Sequence, residues 1–196
     1  MHHYFIGKLL NPEDSKNLIG AQGYIERKTK SKKVVELNAK FAYLGYMDDA
    51  TFLELQDKIS NITGVISEKF KAQECVYTGF GITGEKTTKK SVSIMYKNDV
   101  ITQILVPYLR SFISTITNES NIFYPHISLA RINTSDINQE LESFVETIRV
   151  PKTQSFTIDS LDIMKGIPKV IRSGPSSKLD DMDMELVQSY KLVGSI

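Results

Sequence analysis

Apolar stretches of strand character alternate along this chain with stretches whose apolar residues recur every three or four positions. The first kind predicts β-strands at residues 4–10, 34–46, 76–82, 91–96, 122–129, 156–165 and 184–193. The second kind predicts amphipathic helices, one running from Pro12 toward Gly20 and others at 50–62, 100–116 and 136–147. The order strand, helix, strand, helix occurs twice without a residue-level repeat, which indicates mixed α and β structure.

Capping and breaking residues set the predicted helix ends. Asn11 and Pro12 are suited to the N-cap and first position of the first helix. Gly64 is placed to end the helix at 50–62. Pro107 is expected to kink or delay the helix at 100–116, because proline lacks the backbone N–H that a helix interior needs.

Composition narrows the class of protein. The 196 residues are 41% hydrophobic, and 24 basic against 23 acidic residues leave a net charge of +1, so any site for a polyanion must be local. The one cysteine, Cys75, excludes an internal disulfide and a cysteine-rich metal cluster. The apolar run at the start is too short for a signal peptide, and no stretch approaches the ~20 residues of a membrane span. These features predict a cytoplasmic protein that does not enter a membrane.

The aspartates near the carboxyl end raise the question of a metal site. Asp180, Asp181 and Asp183 have no histidine at ligand spacing and no further carboxylates, so they predict a polar turn. Neither a metal nor another cofactor is expected.

His126 carries the clearest candidate chemistry among the three histidines. In a strand, the period of two places His126 and Ser128 on one face, with Ile127 and Leu129 on the other. An imidazole with a pKa near ~6.5 transfers protons, and a hydroxyl donates to a phosphate oxygen. The alternative is the solvated polar face of an ordinary strand.

The segment Pro125-His126-Ile127-Ser128-Leu129-Ala130-Arg131 resembles the second signature of the 2H phosphoesterase superfamily. That superfamily includes 2'-5' RNA ligase-like proteins, cyclic phosphodiesterases, and viral enzymes that cut 2'-5' oligoadenylate or cyclic oligonucleotide signals. Residues 4–7 resemble its opening strand, and 156–165 and 186–189 resemble its closing strands. The resemblance implies an α+β fold with two pseudo-symmetric lobes, each an antiparallel sheet backed by helices. Residues 1–196 would form one bilobal domain with a central cleft.

The first signature of the superfamily is broken. Aligned on Tyr43-Leu44-Gly45, the family pattern places Asn38 where a histidine belongs and Lys40 where a threonine belongs. His2 and His3 precede the first predicted strand without a matching hydroxyl and are expected to be disordered surface residues. The resemblance therefore implies one intact motif, at His126 and Ser128.

Three functions remain open from these residues. In the first, Asn38, Lys40, His126 and Ser128 hold a nucleotide or cyclic oligonucleotide phosphodiester, or an RNA end, without efficient hydrolysis. Such a protein could sequester a signal as a viral or phage antagonist of nucleotide-based immunity. In the second, a phosphodiesterase remains, with His126 as its histidine acid or base and Lys40 assisting if burial lowers its pKa. In the third, the cleft is vestigial and the chain is an interaction module.

Other residues are weaker candidates for ligand contact. Tyr124 shares the strand parity of His126 and is suited to base stacking, with a core position as the alternative. Arg131 has the opposite parity and reaches the cleft only if the strand twists or ends there. The basic segments at 27–33 and 86–90 either contact ligand phosphates or are solvated surface.

Overall fold

The computed structural model describes residues 1–84, 89–117, 125–150, 155–171 and 178–194. Its strands are β1 His2–Leu9, β2 Lys32–Lys33, β3 Asn38–Met47, β4 Gln73–Thr83, β5 Lys89–Lys97, β6 His126–Asn133, β7 Ser155–Ile158, β8 Ser160–Ile171 and β9 Lys178–Lys191. Its α-helices are α1 Pro12–Lys28, α2 Asp49–Ser67, α3 Val106–Ile113 and α4 Gln139–Thr147. A π-helical segment, Val100–Leu105, leads into α3, and a 3-10 turn, Thr134–Asp136, precedes α4.

The strands form one curled antiparallel sheet in the order β7-β4-β5-β6-β3-β1-β8-β9, with β2 beside β6. Its two halves, β7-β4-β5-β6 and β3-β1-β8-β9, have four strands each. Helices α1 and α4 pack behind the first half, and α2 and α3 behind the second. The predicted α+β fold of two antiparallel half-sheets backed by helices is confirmed.

The main core lies between the sheet and the helices and runs continuously beneath both halves. Ile6, Leu44, Ile94, Ile127 and Leu129 are all fully buried within it. A second, smaller apolar cluster lies apart from this core and contains Phe5, Met164 and Met184, with Leu9 and Tyr43 packed against it. The side of the sheet away from the helices is therefore the open face on which polar residues collect.

Helix starts agree with the sequence prediction better than helix ends. Asn11 caps α1 as predicted, since its side-chain oxygen accepts a hydrogen bond of 2.8 Å from the Asp14 amide. The predicted stop at Gly64 is wrong, because α2 continues through Gly64 to Ser67. Helix α1 likewise continues beyond Gly20 and ends at Lys28.

Several predicted strands also differ from those observed, among them the strand at 122–129, since β6 extends to Asn133. The strand at 34–46 begins at Asn38, because Val34 donates its amide to Leu129 and holds the preceding segment beside β6. The strand at 156–165 is two strands, β7 and β8, which lie at different places in the sheet. None of the described helices is long and apolar enough to cross a bilayer.

Candidate functional site

The two half-sheets meet where β3 runs beside β6, and the predicted site residues lie at that junction. In the described chain the pair Ala39–Ile127 joins the strands, and both residues are fully buried. In this antiparallel register the flanking residues place Asn38 beside Ser128 and Lys40 beside His126. Both predicted motifs therefore project from the same point of the sheet, one from each half.

A small pocket is formed at this junction. Its lining residues are Val34, Asn38, Lys40, His126, Ser128, Arg131 and Met184. Five of the six predicted ligand-binding residues are among them, and Tyr124 lies outside the described residues. The cavity volume is about 30 Å³, roughly one water molecule's share of the liquid. A nucleotide is larger, so the pocket can enclose only part of it, and the rest of the ligand would lie on the open face of the sheet.

A β-bulge in β6 explains how Arg131 reaches the pocket. Ser128 pairs with Ser93 and Ala130 pairs with Val92, so Leu129 is an extra residue on β6. A bulge of this kind reverses the alternation of side chains beyond it. Arg131 therefore joins His126 and Ser128 on the open face, whereas the ideal alternation in the sequence placed it on the opposite face.

Lys40 contributes a positive charge in a poorly solvated position. Its side chain is half-buried, with Nζ 4.1 Å from the centre of the Phe5 ring. Burial, and then the neighbouring charge of Arg131, lower the pKa of Lys40 to about 8. No described carboxylate forms an ion pair with it. An anionic group that bound here would offset the repulsion between the two cations.

Asn38 is held in place by the segment that leads into β3. The side chain is buried, and Nδ2 donates to the Glu36 carbonyl at 2.9 Å. An amide has no accessible pKa, so Asn38 can orient a ligand by hydrogen bonding but cannot transfer a proton. The position facing Ser128 is therefore suited to binding.

The β8–β9 hairpin covers one side of the pocket. The Glu36 carboxylate accepts a hydrogen bond from the Met184 amide, which joins β9 to the segment before β3. The Met184 side chain lines the pocket and packs with Phe5 and Met164. Met184 therefore gives the pocket an apolar wall.

His3, Phe5 and Tyr43 belong to the same face and were missed as site residues by the sequence reasoning. The prediction that His2 and His3 are disordered is wrong, because both lie in β1. His3 Nδ1 and the Tyr43 hydroxyl form a hydrogen bond of 2.8 Å. Burial, and then the charge of Lys40, lower the pKa of His3. The sequence offered one signal for this face, because His3 and Phe5 are two residues apart and therefore share one side of a strand.

The basic segment at 27–33 lies partly beside the pocket. Lys32 is the cross-strand partner of Arg131, while Lys33 forms an ion pair of 2.9 Å with Glu26. The Gln22 side-chain amide donates hydrogen bonds to the Val34 and Leu129 carbonyls, which joins α1 to β6 and to the segment before β3. In the other basic segment residues 85–88 lie outside the described residues, and Lys90 pairs with Ile132. In the described chain no group of three or more metal-ligating side chains comes together.

Comparison with solved structures identifies the same fold elsewhere. LigT from E. coli, complexed with NADP+, superposes with a TM-score of 0.66 at 16% identity, covering 97% of this chain and 98% of LigT. TT0787 from Thermus thermophilus gives 0.67 at 14% identity, covering 97% of each chain. Usb1 from Kluyveromyces marxianus gives 0.55 at 10% identity, covering 83% of this chain and 92% of Usb1. No family model matches the sequence, and no curated protein shows significant sequence similarity to it.

Proposed function

Because this chain has the fold of the 2H phosphoesterases, we propose that it binds a nucleotide phosphodiester between β3 and β6 without efficient hydrolysis. One observation carries the proposal. Both strands present groups that bind phosphate or sugar, but only β6 presents a histidine, since Asn38 and Lys40 face Ser128 and His126. The pocket between β3 and β6 therefore has two binding walls and one histidine, since His3 lies on the same face of the sheet but does not line the pocket.

The chemistry of these groups favours holding over cutting. In the superfamily one histidine takes a proton from the attacking oxygen and the other gives one to the leaving oxygen. A proton-transfer group typically contributes ~10²–10⁴ in rate, which Asn38 cannot supply. Lys40 and Arg131 instead attract the phosphate through charge-assisted hydrogen bonds. Asn38 and Lys40, at the positions of the superfamily's histidine and threonine, are therefore expected to lower the rate of hydrolysis more than the affinity for the ligand.

Related structures support a nucleotide as the ligand. LigT from E. coli has been solved with NADP+, with ATP and with 3'-AMP. By the same fold, we infer a nucleotide here and propose that the protein sequesters a cytoplasmic nucleotide signal, cyclic or 2'-5' linked, as a viral or phage antagonist of immunity would. An RNA end also carries phosphodiester or cyclic phosphate groups, so RNA is included among the ligands tested below.

Lys40 gives a specific reason to keep a second candidate function. With its pKa lowered to about 8, a fraction of Lys40 is neutral near pH 7 and can accept a proton. The alternative is a phosphodiesterase in which neutral Lys40 takes the proton of the attacking hydroxyl. His126 would then protonate the oxygen that leaves phosphorus.

Ligand recovery separates the two functions. The protein is incubated with cyclic di- and trinucleotides, 2'-5' oligoadenylate, an ADP-ribose-derived cyclic nucleotide, or RNA ending in a 2',3'-cyclic phosphate. It is then heat-denatured and the released nucleotide is analysed. We expect one class to be recovered intact. Cleaved product would instead establish the phosphodiesterase, and binding of none would contradict both functions.

Replacing Lys40 with alanine is expected to weaken binding of the recovered ligand by about 30-fold or more, because a desolvated charge partner of the phosphate is lost. Titration calorimetry measures the change. Lys69→Ala is a matched control, since Lys69 also lies over an aromatic ring, Tyr108 at 5.7 Å, but outside the pocket. Equal affinities of Lys40→Ala and native protein would show that Lys40 does not hold the phosphate.

Affinity is also expected to depend on pH through Lys40. Because the anionic ligand binds the protonated amine and raises its pKa, affinity is full below pH 8 and falls by up to ~10-fold per pH unit above it. Titrations at pH 7, 8 and 9 measure this slope. Lys40→Arg keeps its charge and should show no such slope. An unchanged affinity of the native protein between pH 7 and 9 would refute the assignment.

A further inference from the structure

Aromatic side chains continue the open face beyond the phosphate pocket. The Phe5 ring beneath Lys40 is 5.2 Å from the Tyr43 ring, and His3 is 5.8 Å from Tyr43 and 4.7 Å from Tyr46. These four residues, His3, Phe5, Tyr43 and Tyr46, are called the aromatic row. The row starts at the cation that lines the pocket and ends at Tyr46, which is 51% exposed.

Two bulges in β3 produce this alignment. Tyr4 and Phe5 pair with Gly45 and Tyr43, and Ile6 and Gly7 pair with Ala42 and Lys40, so β3 has an extra residue at each step. Each bulge reverses the alternation of side chains. Lys40, Tyr43 and Tyr46 therefore share one face at a spacing of three, while Phe41, Ala42 and Leu44 are buried on the other. Gly45 has φ of +127°, a backbone conformation that glycine adopts without strain.

The length of the aromatic row sets the size of ligand it suits. Tyr46 lies six positions after Lys40, a distance of at most ~20 Å along the strand. Successive nucleotides of one strand rise ~3.4 Å along the axis when their bases stack on one another, but a strand whose bases stack on protein rings is extended to about twice that length per nucleotide. A mononucleotide held at the pocket would leave Tyr43 and Tyr46 unused, whereas a strand of two or three nucleotides would reach them.

The chemistry of the aromatic row also suits nucleobases. Its rings are packed against one another, and the His3–Tyr43 hydrogen bond joins β1 to β3. These side chains therefore lose little conformational freedom when a ligand binds. Burial lowers the pKa of His3, which keeps the imidazole neutral above pH 7 and favours an aromatic rather than a cationic surface. Stacking on such rings tolerates any base sequence.

We propose that the accessible part of the aromatic row, His3, Tyr43 and Tyr46, is a base-stacking surface, so that the ligand is a linear oligonucleotide of at least two nucleotides whose phosphodiester occupies the pocket. This inference rests on the proposed function, because the phosphate at Lys40 positions the strand. Each stacked base is expected to raise affinity by about 5- to 150-fold.

The test uses 5'-phosphorylated adenylates of one, two and three nucleotides with phosphorothioate linkages, and a trimer whose outer two nucleotides lack bases. For the native protein we expect affinity to rise from monomer to trimer and the abasic trimer to lose that gain. Tyr46→Ala should reduce trimer affinity by about 5- to 150-fold and leave monomer affinity unchanged. Tyr46→Phe should retain native affinity, because it keeps the ring.

Tyr24→Ala is the matched control, since Tyr24 is 41% exposed on α1, behind the other half-sheet, where its ring contacts Phe144. Equal affinities for monomer, trimer and abasic trimer, with Lys40→Ala still weakening all three, would overturn the stacking surface and leave the proposed function standing. Equal loss of monomer and trimer affinity in Tyr46→Ala would also overturn it. If no adenylate and no other nucleotide bound, both the stacking surface and the proposed function would be overturned.

Discussion

Replacing Asn38 with histidine and Lys40 with threonine is expected to raise phosphodiester hydrolysis by ~10²–10⁴-fold over the native protein. The double variant would place the His-x-Thr pattern of the superfamily on β3, opposite His126 and Ser128 on β6. A second imidazole would then lie across the junction from the first and supply the missing proton transfer. Product formation from the recovered ligand, followed by chromatography over a range of pH, measures the gain.

The control for this restoration removes the partner histidine. Asn38→His with Lys40→Thr and His126→Ala keeps the new histidine but again leaves one imidazole, so its rate should fall back toward that of the native protein. Thermal melting of each variant establishes that it is folded. If the native protein already turns over as fast as the double variant, Lys40 is performing acid-base chemistry and the phosphodiesterase alternative is correct.

Gly7→Ala is expected to destabilise the protein by ~3 kcal/mol, because β1 and β3 approach too closely there for any side chain. A Cβ at Gly7 would lie 2.1 Å from the Ala39 carbonyl oxygen and 2.8 Å from the end of the Met164 side chain. The methionine can rotate away, but the carbonyl belongs to the strand pair that positions Lys40. For a chain of this size, the loss corresponds to a fall in melting temperature of ~6–12 °C.

Gly81→Ala is the matched control for this prediction. Gly81 is also a strand glycine, in β4, and a Cβ there would meet no atom within 4 Å. Its melting temperature should remain within about 2 °C of the native value, since surface substitutions typically change stability by no more than ~0.5 kcal/mol. Similar melting temperatures for Gly7→Ala and Gly81→Ala would show that β1 and β3 can separate without cost.

Much of the fold was readable from local signals. The Asn11 cap placed the start of α1, and Pro107 anticipated the interruption before α3, where a π-helical segment gives way to an α-helix. Glycine was a poorer guide to helix ends, because α1 and α2 continue past Gly20 and Gly64. A cap acts through its own neighbours in the chain, whereas the role of a helical glycine depends on the element packed against it.

From the sequence, His126 and Ser128 were identified by their spacing of two residues, and Asn38 and Lys40 by the resemblance to the first signature of the superfamily, aligned on Tyr43-Leu44-Gly45. That spacing held because β3 and β6 are regular between the paired motif residues. The assignment of Arg131 and of the aromatic row required the tertiary structure. Bulges in β3 and β6 reverse the alternation of side chains, and a bulge exists only as a mismatch between two paired strands.

The sequence by itself therefore determined the classes of element, the candidate motif positions and the chemistry that each of those residues can offer. Only the tertiary structure decided that Asn38 faces Ser128, that Arg131 enters the pocket, and that Lys40 is desolvated enough to lower its pKa. The physical reason is that strand pairing and burial are set by residues far apart in the chain. A side chain's identity is local, but its direction and its solvation are not.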